Sequence, residues 1–371
     1  FQAEDGIRDV ERSRGLGDVY KRQQKVCAAE HGGSQTVSNE TKTITVDIHC
    51  HRQSYPAGDL MQEEAQKAGF SALSLGSELT KEVNRKQLEF IKPKMQSIEK
   101  RLEDMDNMGV DLQAVSVSPY QYYYWAEPDA GREVCKLINN EMAEDIALHP
   151  DRFVGLGTIP LQNTEMAITE LKRCINELGY KGVEINSHVV GEELSSERLE
   201  PFWATVEELD VLVFIHTAGF THPDRLGEHY FLNLIGHPIE ASIAISYLIF
   251  DGVMERHPGL KICVSHGGGY LPSYAGRMDH AYHAREDVRE GLPNPPTHYL
   301  KQFYFDSIVF EPDQLEFLIN KYGADHILLG TDYPYDMGEG DPIGLLRKVK
   351  NLSHENFAAV RGGNAVGLLK L

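Results

Sequence analysis

Two histidines one residue apart, in Val46-Asp47-Ile48-His49-Cys50-His51, are the first residues whose types and spacing could do chemistry. Side chains alternate across an extended strand, so Asp47, His49 and His51 are expected on one face and Cys50 on the other. Two neutral imidazoles so placed can ligate one cation. An exposed pair, or a pair hydrogen-bonded in a core, would read the same in isolation. Three further apolar runs close on polar residues: Val213-Phe214-Ile215-His216, Cys263-Val264-Ser265-His266-Gly267-Gly268-Gly269 and Leu329-Gly330-Thr331-Asp332-Tyr333-Pro334. A His or Asp at the end of a buried strand costs free energy unless it is paired or ligated. Four separate runs ending this way point to one shared metal site.

The elements that must position these residues alternate along the chain. Strand-like runs rich in Val, Ile, Leu and Phe fall at 44–51, 112–119, 153–160, 182–187, 211–218, 261–267, 303–309 and 326–334. Helical periodicity covers 97–108, 130–148, 165–178, 197–209, 240–255, 313–321 and 354–369. Strand–helix alternation implies a parallel sheet with right-handed crossovers. Eight units favour a closed α/β (β/α)8 TIM barrel over a doubly wound open sheet, with the polar strand ends on its catalytic C-terminal rim. Segments 52–96 and 220–238 exceed ordinary βα loops and are expected to act as lids or specificity loops.

Composition narrows the class. The formal charge of −20 argues against nucleic acid or an anionic membrane as a partner, but not against a small anionic substrate met by a local arginine. No apolar run suggests a transmembrane helix, and no secretory signal is apparent. Five widely spaced cysteines without a CxxC pair fit a reducing, cytoplasmic setting. Residues 1–43 lack apolar periodicity and are expected to lie outside the fold, as a disordered tail or a stretch foreign to the natural chain; the barrel is expected over 44–371.

The combination of HxH, a strand-five histidine, HGGG and GTDYP resembles the amidohydrolase superfamily. Within it, Tyr124-Trp125-Ala126, Arg152–Thr158, Glu240–Asp251 and Gly363-Asn364-Ala365 resemble the aminocarboxymuconate-semialdehyde decarboxylase group of metal-dependent carboxy-lyases. That resemblance implies His49, His51, His216 and Asp332 as metal ligands, with a coordination position open to water. It implies His266 as the base and proton carrier, with Asp332 passing a proton as well. It also implies Arg277, eleven positions after His266, as a carboxylate-binding residue supplied across a homodimer, and Arg85 as a second such residue. Arginine suits the task because its planar fork grips a carboxylate bidentately.

No lysine ends strand four, which reads Gly182-Val183-Glu184-Ile185-Asn186-Ser187, so one divalent ion is expected, zinc first and manganese as the alternative. Glu184 and His188 are weaker ligand candidates than core or surface hydrogen-bonding groups. His222, His229, His237 and His257 read as solvated or capping residues. After His216 the family's Pro-Trp is replaced by Thr217-Ala218-Gly219, so the pocket wall and the substrate are expected to differ. The rival chemistry on the same barrel is hydrolysis of a lactone or amide. A non-catalytic metal-binding scaffold is the other alternative, and the intact set of polar residues speaks against it.

Overall fold

The computed structural model describes residues 44–67 and 76–371; the expectations for residues 1–43 fall outside these. Eight parallel strands run in chain order: β1 (Val46–Arg52), β2 (Leu112–Val117), β3 (Phe153–Gly157), β4 (Gly182–Ile185), β5 (Leu212–Ile215), β6 (Lys261–Val264), β7 (Tyr304–Asp306) and β8 (Ile327–Leu328). Each pairs with its neighbours. The seam between β8 and β1 closes through Ile48 N donating to Leu329 O (2.9 Å) and His51 N donating to Tyr333 O (2.8 Å). The expected barrel is therefore present.

Helices surround it: α1 (Glu78–Gln96), α2 (Ile98–Met108), α3 (Pro128–Leu148), α4 (Thr164–Asn176), α5 (Glu200–Leu209), α6 (His237–Phe250), α7 (Leu271–Ala284) and α8 (Pro312–Tyr322). Ser77, Ser97 and Asn163 cap α1, α2 and α4 with side-chain oxygens that accept from backbone N–H groups in the first turn. Outward strand residues such as Val115, Val183, Val213 and Ile262 pack beneath the helices, while Leu112, Ala114, Leu212 and Phe214 join a second apolar cluster with the C-terminal Leu368 and Leu369. Each fully buried aliphatic side chain contributes about 1.5–3 kcal/mol.

Several boundaries differ from the periodic pattern. The 52–96 segment is largely helical, carrying α1 and the short helices Tyr55–Leu60 and Gln62–Lys67. α7 is absent from the expected helices, because Pro272 and Gly276 dilute its pattern. The expected 354–369 helix is present as one continuous run that includes a π-turn at Ala359–Gly363. β8 keeps only two residues in the β7 ladder. Beyond it Gly330, the left-handed Asp332 (φ 55°) and Pro334 turn the backbone out of that ladder, while bonds to β1 continue.

Candidate metal centre

β1 carries a correction to the expected alternation. Asp47 pairs with Gln113 and Cys50 with Val115, so three steps on β1 face two on β2. This one-residue bulge leaves Asp47 on the opposite side from His49 and His51. There its buried carboxylate accepts from Gln113 Nε2 (2.9 Å) and Thr331 Oγ1 (2.7 Å), and Arg101 Nη1 holds the far end of Gln113 at 3.1 Å. Asp47 thus stitches the closing seam and does not face the site.

His49 and His51 point into the barrel mouth. His49 Nδ1 lies 2.6 Å from Asp306 Oδ2, and His51 Nδ1 lies 3.1 Å from Val117 O. A carbonyl oxygen can only accept, and an ionised carboxylate likewise, so both Nδ1 atoms carry hydrogen and, in the neutral rings, each Nε2 presents a lone pair. Those two Nε2 atoms are 3.1 Å apart, and Asp332 Oδ1 sits 3.3 Å from one and 3.2 Å from the other. Ligands at about 2.1 Å from one tetrahedral cation stand about 3.4 Å apart. The triangle has the dimensions of three ligands sharing one ion.

His216 completes the group, its ring centroid 4.8 Å from that of His49 and 4.7 Å from that of His51. Both of its ring nitrogens are buried without a hydrogen-bond partner, and so is Asp332 Oδ1. Buried unpaired acceptors cost about 1–3 kcal/mol each, and a divalent ion removes that cost. The residues present therefore fit a metal. One ligand atom each from His49, His216, His266 and Asp332 lies within 4.8 Å of the others. His266 differs from the other three in being partly exposed, with Nε2 3.6 Å from Asp332 Oδ2.

The titration directions describe the same demand for positive charge. Burial and then the neighbouring His51 and His49 push His216 well below its usual pKa, keeping it neutral. Burial opposes the charge on Asp332, but His49 beside it, with His266 and His51 close by, holds it well below the carboxylate range. For His49 burial also opposes charge, yet Asp332 and Asp306 outweigh it and raise its pKa well above 6.5. A proton on His49 is what these carboxylates attract where no metal is bound.

Backbone conformation aims these groups. His266 and Asp332 both adopt φ 55°, a left-handed conformation that non-glycine residues take at some energetic cost and that concentrates at functional sites. Gly269 (φ 68°) is required beside them, because a Cβ there would fall 2.2 Å from Pro238 O.

Sequence reasoning did not single out Asp306, although a carboxylate closing the β7 run is the same signal that marks the other strand ends. Its second oxygen accepts from Gly267 N (2.8 Å) and Ile308 N (3.2 Å), so it locks the His49 ring and the HGGG turn together. Glu184 is buried, accepting from Ser116 Oγ (2.5 Å) and Tyr122 OH (2.7 Å), with one oxygen 3.8 Å from His51 Nδ1. It supports a ligand, as its hydrogen-bonding alternative implied. His188 accepts from Gly191 N through Nδ1.

His237 is not a solvated group. It lines the cavity, its ring stacks on His266 at 6.0 Å, and burial followed by His266 lowers its pKa to about 3. His257 is buried between Glu207 (2.9 Å) and Glu200 (3.0 Å), far from a solvated role. Arg85 lies exposed on α1 beside Glu78 and Glu82, and Gln87 of that helix lines the cavity instead. Arg277 is exposed on α7 and does not line the cavity within one chain.

The cavity over the centre has two connected parts, of about 300 and about 40 Å³, sharing the walls Asn233, His237, His266 and Met337. Neither part is lined by Lys or Arg among the described residues. Asn233, Leu234 and His237 come from the long segment after β5, which therefore does form part of the pocket.

Comparison with known proteins accords with this geometry. The amidohydrolase family model matches residues 46–371. The chain belongs to the amidohydrolase family. It is 38% identical over 273 residues to 2-amino-3-carboxymuconate-6-semialdehyde decarboxylase of Dictyostelium discoideum, covering 73% of this chain and 76% of that protein. The Caenorhabditis elegans protein of that name is 28% identical, covering 90% of this chain and 96% of its own length. With these relatives, this amidohydrolase is a metal-dependent decarboxylase.

Among solved structures, a dihydroxybenzoic acid decarboxylase from Polaromonas with bound manganese and 2-nitroresorcinol superposes with a TM-score of 0.73 at 24% identity, covering 89% of this chain and 97% of that one. A manganese-bound 5-carboxyvanillate decarboxylase from Novosphingobium aromaticivorans gives 0.77 at 23% identity, covering 90% and 99%. At such identities these two speak for the fold.

Proposed function

We propose that this protein is a non-oxidative carboxy-lyase for a small carboxylated aromatic or conjugated diene acid, using one divalent ion held by His49, His51, His216 and Asp332. The observation that carries the reading is the buried triangle of His49 Nε2, His51 Nε2 and Asp332 Oδ1, 3.1–3.3 Å on its edges. Zinc suits its nitrogen-rich ligand set, and manganese suits its carboxylate and is the ion bound in the Polaromonas and Novosphingobium structures. When bound, the ion supplies positive charge that orients an anionic substrate and stabilises negative charge spread over its conjugated system.

His266 is the proton carrier. It faces the cavity beside Asp332, and its protonated ring gives a proton to the carbon that bears the carboxylate. The bond from that carbon to the carboxylate then breaks, its electron pair returns to the conjugated system, and carbon dioxide leaves. Ser265 Oγ, 3.1 Å from His266 Nδ1, orients the ring. The transferred proton stays in the product, and Asp332, whose Oδ2 lies 3.6 Å from His266 Nε2, relays a fresh proton from solvent to His266 for the next cycle.

Arg277 binds the substrate carboxylate from a second copy of the chain. Among the described residues no Lys or Arg lines the cavity, which leaves that role open, and exposed Tyr270, Phe310 and Phe317 on its wall, with exposed Tyr274 further along α7, supply apolar surface for a homodimer. Cys50, Cys135, Cys174 and Cys263 are free and buried, which fits a reducing, cytoplasmic setting. The test is carbon dioxide release from a panel of hydroxybenzoates and carboxylated muconates by protein loaded with Zn²⁺ or Mn²⁺, with lactone opening measured beside it. Lactone or amide turnover without carbon dioxide would replace this reading with hydrolysis.

A further inference from the structure

Where the chain leaves β5 and enters α6, a π-turn at Leu232–Gly236 sets Asn233 and His237 on the same cavity wall. Such turns are rare and concentrate at functional sites. Gly219 N lies 3.2 Å from His237 Nε2 in donor geometry. A backbone N–H can only donate, so Nε2 carries the lone pair and the neutral ring bears its hydrogen on Nδ1. Asn233 Nδ2 is placed 3.4 Å from that Nδ1, which would set one donor against another. Exchanging the amide oxygen and nitrogen, which are assigned from their hydrogen bonds, resolves the conflict. Asn233 Oδ1 then accepts from His237 Nδ1–H, and the amide NH₂ turns to the cavity.

We infer that Asn233 is a substrate-specificity residue whose amide NH₂ donates to an oxygen substituent of the acid, and that His237 is the positioning residue that fixes the amide's orientation. The inference rests on the decarboxylase reading for the acid itself and adds its required feature: a hydroxyl, phenolate or carbonyl oxygen in addition to the leaving carboxylate. Among the described residues no Lys or Arg lines the two parts of the cavity, so a neutral donor such as the Asn233 amide, beside His266, is suited to recognise such an oxygen. Asn233 and His237 both line the two parts of the cavity, and His237 stacks on His266, so this oxygen is recognised next to the proton carrier.

The test compares binding of 2-nitroresorcinol and of 2-nitrophenol, which lacks one hydroxyl, to the Mn²⁺-loaded protein. Wild-type protein is expected to favour 2-nitroresorcinol by about tenfold, the value of one hydrogen bond to a partly charged acceptor. Asn233→Ala and Asn233→Asp should erase that preference at unchanged metal content. His237→Leu should erase it too, whereas His237→Gln, with one acceptor and one donor, should restore part of it, which a merely structural role would not do. Equal binding of the two probes by wild-type protein, or a preference that survives Asn233→Ala, overturns the inference. The decarboxylase reading fails separately, through absence of carbon dioxide release, while the probe preference remains measurable.

Discussion

Asp306 Oδ2 stands 2.6 Å from His49 Nδ1, on the side of the ring away from the proposed metal. The contact fixes the His49 tautomer and makes Nε2 the better electron donor. Asp306→Asn keeps the size and removes the charge. It should weaken metal binding by about 10–100-fold, measured by competition with a chelator of known affinity. Unchanged affinity would show that Asp306 serves the HGGG turn alone.

The raised pKa of His49 gives a pH dependence with a definite sign. A proton on His49 stabilises the metal-free fold, fully so below the unfolded value near 6.5, and that stability is lost as pH rises through the higher folded value. Bound metal replaces the proton. The gain in Tm on adding Zn²⁺ or Mn²⁺ should therefore grow between pH 6 and pH 9, and metal uptake at pH 7 should release protons. A metal-induced Tm gain that shrinks over this range, in a thermal-shift series, contradicts the assignment.

His266 touches the cavity and stands outside the ligand triangle. His266→Ala should keep one metal per chain by elemental analysis and lower kcat by about 10²–10⁴-fold. Loss of the metal along with turnover would move His266 into the ligand set.

Arg277 is exposed within one chain, so its role is testable by complementation. In the homodimer proposed above, Arg277→Ala and His266→Ala should each be nearly inactive on their own. Mixed and allowed to exchange, they form heterodimers in which one of two sites has both side chains, returning about a quarter of wild-type activity by symmetry. No recovery, despite exchange shown by mass, would place Arg277 outside the site.

The order of the eight strands and the polar residues at four of their ends were legible because burial makes strands apolar and makes a buried His or Asp conspicuous. Asp47 shows where that reasoning stops. Strict alternation assigns it to the face of His49, and a single extra residue in β1 reverses the assignment without leaving a mark in the local pattern. His237 was illegible for another reason. Its neighbour is a proline and its segment is a long loop, so only the tertiary placement beside Gly219 and His266 distinguishes it from a capping group. Arg277 is the converse, a residue whose resemblance-based role one chain does not complete.

The last strand, β8, is two residues long, and the barrel shuts beyond it through Thr331 on Asp47 and through backbone bonds around Asp332. The carboxylate proposed to grip the ion is thus the next residue after the threonine that fastens the first strand to the last. Occupying the centre works as a clasp on the whole cylinder. Stripping the ion should loosen the wall there before anywhere else, with amide hydrogen exchange rising first over residues 329–333 and at His49.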